Sequence, residues 1–228
     1  VALLGLDRVD AAAQAAHAAG LAWLSEAEHA RLARLAAPRR RAQFLAGHWL
    51  ARVLLTEAYG GDPATEWPLS SGEDGPPRAM RPDLQDEVCV AITHSGSFVA
   101  CAVSSELVGI DLEQVGRVRD VASLAQAVCT PHERDRLAVL DPCAQQREFL
   151  VMWTLKEAWL KRRHEGMTPG RLAHVETRPT AAAAEGRVWQ RDDATLAVVA
   201  GAHTSLHWHR DVLGLAGEPS AAWHVTSV

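Results

Sequence analysis

Apolar positions along the chain change period several times, and each change marks an expected element. Ser25-Glu26-Ala27-Glu28 has the form of a capping box, and Leu32 and Leu35 mark the apolar side of the helix it opens, which Pro38 ends. A second helix is predicted from about Arg40 to Tyr59. Phe44, Leu45, Leu50, Val53, Leu54 and Leu55 supply its core contacts, and Gly60-Gly61 closes it. Residues 68–87 are rich in Pro, Gly, Ser and Asp and read as an extended polar connection. Three strand-like runs follow: Val88 to Thr93, Phe98 to Ser104 and Val108 to Glu113. Thr130-Pro131-His132-Glu133 looks like another helix start, and Asp141-Pro142 breaks that helix. A long helix then runs through Lys161, with Phe149, Met152, Trp153, Lys156 and Leu160 at i, i+3, i+4, i+7 and i+11, and Gly166 and Pro169-Gly170 terminate it. Short strands are expected near Leu172 to Thr177, Arg187 to Gln190, Leu196 to Ala200, Leu206 to His209 and Trp223 to Val225, with a loop from Pro179 to Glu185.

Helices followed by antiparallel-looking strands thus occur twice, before and after about residue 108. The fold class is α+β in two halves, 1–108 and 109–228, each a helix packed on a small antiparallel sheet. No residue-level repeat is visible between them.

Composition narrows the classes. Of the 228 residues, 48% are hydrophobic and 22% charged, which is ordinary for a globular chain. A net charge of −5 gives no global attraction to nucleic acid or an anionic membrane, so an anion site has to be a local basic cluster. Cys89, Cys101, Cys129 and Cys143 show no C-x-x-C spacing and read as buried, reduced thiols rather than a zinc site. The alanine-rich run Ala11 to Ala22 lacks signal-peptide character: Asp7 and Asp10 stand where positive charge is needed, and Gln14, His17 and Gly20 interrupt it. A soluble, cytoplasmic protein is expected, with no membrane span.

Two stretches carry chemistry. In Gly109-Ile110-Asp111-Leu112-Glu113, the period of two puts Ile110 and Leu112 toward a core and both carboxylates on the other face. In Trp153-Thr154-Leu155-Lys156-Glu157-Ala158-Trp159-Leu160-Lys161, helical spacing puts Trp153, Glu157 and Lys161 on one edge. Two strand carboxylates and one from a helix, with lysines beside them, can hold a hard divalent cation and an anionic substrate. Read singly, each stretch is more often a solvated strand face or ordinary helix-surface pairing. Their combination changes the balance.

Together, G-I-D-L-E and W-x-x-K-E-A-x-x-x-K resemble the signature of the Sfp-type 4'-phosphopantetheinyl transferases, in the subgroup with Trp before K-E-A. Arg39-Arg40-Arg41-Ala42-Gln43-Phe44-Leu45-Ala46-Gly47 and Ile92-Thr93-His94-Ser95-Gly96 are similar to two further segments of that family, so the resemblance covers roughly residues 25–170. It implies two similar halves with the active site between them, the first contacting coenzyme A phosphates and the second holding the metal site and catalytic helix. The implied reaction moves the phosphopantetheine arm of coenzyme A to a serine of an acyl or peptidyl carrier protein, and 3',5'-ADP leaves.

The resemblance also assigns roles. Asp111, Glu113 and Glu157 correspond to the metal carboxylates, for magnesium or manganese, with Glu157 also a candidate general base. Glu133 matches a further glutamate near the serine's approach; helix N-terminal charge complementarity explains it equally well. Lys156 and Lys161 would touch the pyrophosphate. Thr93 and His94 would contact the phosphates. Arg31, Arg40 and Arg41 are candidates for the 3'-phosphate, with the choice among Arg39, Arg40 and Arg41 open. A monomer with coenzyme A and a carrier protein as partners is expected.

Two positions depart from the family pattern. His48 follows the glycine of F-L-x-G where a basic residue is common. Gly75-Pro76-Pro77 lacks the lysine of G-K-P, with Arg78 as its substitute. The histidines at 203, 207 and 209 read as strand surface. A silent coenzyme A or carrier-protein binding module would have lost a metal carboxylate or a motif lysine, and neither is lost. A generic phosphohydrolase would need two adjacent metals or a recognisable nucleophile. Carrier recognition is expected on residues 114–135, where Arg117, Arg119, Arg134 and Arg136 stand among Val115, Val118, Val121 and Leu124.

Overall fold

The computed structural model describes residues 1–70, 75–84, 88–116 and 120–228. Among them the order is β1 (Ala2–Arg8), α1 (Val9–Ala18), a 3-10 turn (Leu21–Trp23), α2 (Glu26–Arg34), α3 (Pro38–Tyr59), β2 (Leu69–Ser70), β3 (Arg78–Ala79), β4 (Cys89–Ser95), β5 (Phe98–Ser104) and β6 (Gly109–Gln114). It continues with α4 (Val121–Val128), α5 (Pro131–Ala138), α6 (Pro142–Arg162), α7 (Pro169–Ala173), β7 (Val175–Thr180), β8 (Gly186–Gln190), β9 (Ala194–Val199), β10 (Leu206–Asp211) and β11 (Ala221–Ser227). No described helix is long and apolar enough to cross a membrane. The chain divides into two compact units, residues 1–108 with 204–216, and 109–203 with 217–228.

In the first unit the strand order is β10-β1-β5-β4-β3-β2. β5 is buried at every residue because strands flank it and helices cover it, so its run of Phe, Val, Ala and Cys needs no alternation. Two features depart from the sequence-based expectation. β1 pairs parallel with β10, so the sheet is mixed rather than antiparallel, and that pairing carries 204–216 into the first unit. The alanine-rich run forms α1, which buries Val9, Ala12, Ala13 and Ala16 at i, i+3, i+4 and i+7; such small side chains let a helix lie close to its neighbour. The core joins Val9, Ala12 and Ala13 to Leu50, Leu54 and Leu55 of α3 and to Val99, Cys101 and Val103 of β5, while Ala16 packs with Trp23, Leu32 and Phe44.

The second unit is an antiparallel sheet, β6-β9-β8-β11-β7, crossed by α6. Phe149, Met152, Leu155 and Trp159 of α6 meet Val188, Ala197, Val199 and Val225. Gly109 sits where the helix touches the strand: a Cβ there would lie 1.8 Å from the Ala158 carbonyl oxygen. Residues 109, 111 and 113 share one face of β6, so the carboxylates stand on the face that α6 covers. Ile110 and Leu112 are buried on the opposite face, as the alternation predicts, but the carboxylate face is covered too, so that Asp111 is as buried as they are.

Several boundaries shift: α3 opens on Pro38 rather than near Arg40, and β7 runs through Pro179 to Thr180. Helix α4, capped by the Asp120 carboxylate, was not foreseen. Leu172 belongs to α7, because Thr168 caps a short helix that opens on Pro169. α6 ends at Arg162, and His164 takes the left-handed conformation (φ 57°) in the turn that follows, before any glycine is reached. The four cysteines are free, but Cys143 is exposed on the first turn of α6 rather than buried.

Candidate metal and anion site

Three acids meet beneath α6. Asp111, 1% exposed, and half-buried Glu113 come from β6, and half-buried Glu157 comes from the helix. One carboxylate oxygen from each lies within 4.8 Å of the others. Lys161, one turn beyond Glu157, places Nζ 2.5 Å from Asp111 Oδ1. Burial and the neighbouring Asp111 and Glu113 charges push the Glu157 carboxyl up to about 8, although Lys161 opposes the shift. Acids so crowded need a compensating cation. The donors are all carboxylate oxygens without soft ligands, which suits a hard divalent ion such as magnesium.

The structure does not bring Lys156 and Glu133 to this cluster. Lys156 is one residue from Glu157 and so about 100° around the helix, which turns it into the core. It is 1% exposed; its Nζ lies 2.6 Å from Glu133 and donates to the carbonyls of Val128 (2.7 Å) and Leu172 (3.0 Å). Glu133, 0% exposed, also accepts from Thr130 N (2.8 Å), Thr177 N (2.9 Å) and Thr177 Oγ1 (2.8 Å). The pair ties α4, α5, α7 and β7 to α6. Contact with pyrophosphate or with a serine is corrected to this internal role, because both groups are sealed from solvent.

In the first unit, two motif segments pack on each other. Gly47 lets α3 close on β4, since a Cβ there would lie 2.6 Å from Ile92 Cγ2. Gln43 Nε2 donates to the Gly96 carbonyl at 3.4 Å, which joins the first turns of α3 to the β4–β5 hairpin. Thr93 is buried and His94 half-buried on the strand entering that hairpin. Arg39 and Arg40 are exposed at the start of α3, a terminus without a side-chain cap. Arg31 lies half-buried in the last turn of α2. Arg41 is engaged differently: its Nη1 donates to the carbonyls of Leu32 (2.7 Å) and Leu35 (3.4 Å), satisfying the end of α2.

His48 is buried too, with Nδ1 2.6 Å from Glu28 Oε1. Arg52 closes the group, donating to both Glu28 oxygens (2.9 and 2.7 Å) and to the Trp23 carbonyl (3.0 Å), with its guanidinium over the Trp23 ring. Sequence reasoning missed this network. Its signal was a single arginine inside the apolar run Leu50 to Leu55. Arg78 is exposed at the start of β3.

Arg117, Val118 and Arg119 of the expected carrier surface lie outside the described residues. Arg134 donates to the Cys129 carbonyl (2.7 Å). Arg136 pairs with Glu148 (2.9 Å) beneath Trp223, so both serve internal contacts.

Comparison with known proteins follows the same division. Residues 27–104 match the model of the 4'-phosphopantetheinyl transferase N-terminal domain. The chain is similar to a 4'-phosphopantetheinyl transferase of Bacillus subtilis (32% identity over 124 residues, 54% of this chain and 53% of that protein). It is similar also to HetI of Nostoc sp. (30% over 157 residues, 64% and 66%) and to AcpT of Salmonella typhi (34% over 125 residues, 54% and 59%), both described as 4'-phosphopantetheinyl transferases. Each match spans less than two thirds of the relative's length. Residues 107–223, more than half of the chain and the stretch that holds all three acids, match the 4'-phosphopantetheinyl transferase superfamily, and the chain belongs to that superfamily.

Proposed function

We propose that the protein transfers the 4'-phosphopantetheine arm of coenzyme A to a serine of an apo acyl or peptidyl carrier protein, releasing 3',5'-ADP. The observation that carries this reading is the convergence of Asp111, Glu113 and Glu157 with Lys161, in a chain matched by both family models. Asp111, Glu113 and Glu157 are the residues that would hold magnesium, with manganese as a substitute. The ion would neutralise pyrophosphate charge and polarise the phosphorus under attack. Lys161 adds a mobile positive charge for the same oxygens. The serine hydroxyl oxygen forms the new bond to the phosphorus nearer the pantetheine, the bond to 3',5'-ADP breaks, and the serine proton passes to Glu157 or to a water it holds.

Arg31 and Arg40, near an uncapped helix start, suit the 3'-phosphate, and Thr93 and His94 the remaining phosphates. The second unit thus holds the metal and the first the nucleotide. Four free cysteines support a reducing, cytoplasmic setting, where the protein would act as a monomer. Incubating apo-carriers from fatty-acid, polyketide and nonribosomal-peptide systems with coenzyme A, with and without magnesium, tests the proposal by intact-protein mass spectrometry. A magnesium-dependent gain of one phosphopantetheine group is expected. Failure to modify any of the three carrier classes would sink it.

A further inference from the structure

We infer that Lys161 acts as a placeholder cation on Asp111, occupying the metal position until a divalent ion arrives and then withdrawing to meet the incoming anion; this rests on the metal reading above. Lys161 Nζ is 2.5 Å from Asp111 Oδ1, and the Asp111 side chain is 2% exposed against 20% for Lys161. That carboxylate is also one of the three whose oxygens converge within 4.8 Å. A carboxylate so enclosed offers few approaches, and the ammonium stands on one of them. A magnesium-sized ion binds oxygen at about 2.0–2.1 Å, which would put it within roughly 5 Å of Nζ, and repulsion at that distance moves the flexible partner.

The first unit shows the contrasting arrangement. Asp7, which also follows a glycine and an aliphatic residue on a buried strand, is held at 2.7 Å by Arg210. Arg210 reaches Asp7 Oδ2 through Nε of a planar, rigid guanidinium, whereas a lysine on a four-carbon stem can turn away while keeping its charge nearby. Lys161 stands in the last turn of α6 with its side chain partly open to solvent. Once displaced, its three donors remain beside the cluster. Lys161 therefore weakens metal binding in the empty site and strengthens anion binding in the loaded one, so that metal and anion favour each other.

The test is manganese binding by the full chain without coenzyme A, followed through the electron paramagnetic resonance of free Mn2+. Lys161→Met keeps an unbranched stem one atom shorter and removes the charge, and should tighten Mn2+ binding about tenfold, equal to roughly 1.4 kcal/mol. Lys161→Gln carries the same expectation should the methionine variant fail to fold by circular dichroism. Equal or weaker Mn2+ binding in a folded variant overturns the placeholder role while leaving the metal site in place. Absence of Mn2+ binding in the wild type and both variants removes the metal reading, and the inference with it.

Discussion

Helices α3 and α6 open on prolines, Pro38 and Pro142, and at the same position counted from them each turns a cation inward, Arg52 and Lys156. Each cation meets the glutamate of a capping box, Glu28 or Glu133, and the carbonyl two residues before the cap, Trp23 or Val128. The preceding strands read Gly5-Leu6-Asp7 and Gly109-Ile110-Asp111, and both sheets order their strands alike, as β1-β5-β4 and β6-β9-β8. One architecture is therefore built twice. The difference lies beside it. Where the second unit has Glu113 and Glu157, the matching positions of the first are Val9 and Val53. Framework and acid cluster occupy adjacent residues of one helix: the inward position holds the unit together, and the next one separates the unit that has the acid cluster from the unit that lacks it.

Breaking the shared framework should have the largest effect. Lys156→Met or Arg52→Met leaves a buried glutamate without its counter-charge, and each should cost about 3–5 kcal/mol of stability in chemical denaturation. A stable Lys156→Met protein with a raised coenzyme A constant would instead return that lysine to the substrate. Next come the acids. Asp111→Asn, Glu113→Gln and Glu157→Gln should each lower carrier modification by roughly 10²–10³-fold without loss of folding, because mutually repelling groups are being neutralised. A variant that retains full turnover leaves the metal set.

The two units should also respond to pH in opposite senses. Burial alone would raise the Glu28 carboxyl, but hydrogen bonds from His48 and Arg52 outweigh it and hold the group at about 2. Its stabilisation is present above the unfolded value near 4.5 and is lost as pH falls from there toward 2. Glu157 is pushed up to about 8, so in metal-free protein the unfolded chain ionises first and stability falls as pH rises from 4.5 to 8. Hydrogen exchange of α3 and α6 peptides, corrected for intrinsic rates, should show the acid-side loss in α3 and the other in α6. Glu28→Gln and Glu157→Gln should each flatten its own limb; parallel responses in both helices would undo the contrast.

The smallest expected effect separates two neighbouring arginines. Arg40→Ala should raise the apparent constant for coenzyme A about tenfold and affect 3'-dephospho-coenzyme A less. Arg41→Ala should affect both alike, through the end of α2.

The capping box at Ser25, the helix start at Thr130-Pro131 and the G-I-D-L-E strand were legible because each depends on local chemistry that short spacing encodes, whereas Pro38, Pro142 and Pro169, which read as helix ends, each open a helix. Lys156 was half legible. It falls on the apolar stripe with Phe149, Met152 and Leu160, and that position foretold burial more truly than its charge foretold a ligand. The internal repeat was hidden because Arg replaces Lys and Ser replaces Thr, substitutions that keep a hydrogen bond while erasing identity. Parallel pairing of β1 with β10 joins residues from opposite ends of the sequence, and local periodicity contains nothing of such a pairing.

Gly109 gives the acid cluster a dimension that no charged residue sets. With the Ala158 carbonyl 1.8 Å from where its Cβ would be, the smallest side chain there would wedge the helix backbone away from the strand. Glu157 rides on that helix and Asp111 on that strand, so the gap between them is gauged by a missing methyl group. A displacement of about 1 Å in a reacting assembly can cost on the order of 10²-fold in rate. A lineage could therefore lose the proposed activity with every acid and lysine intact, through one carbon atom at a position that carries no charge of its own.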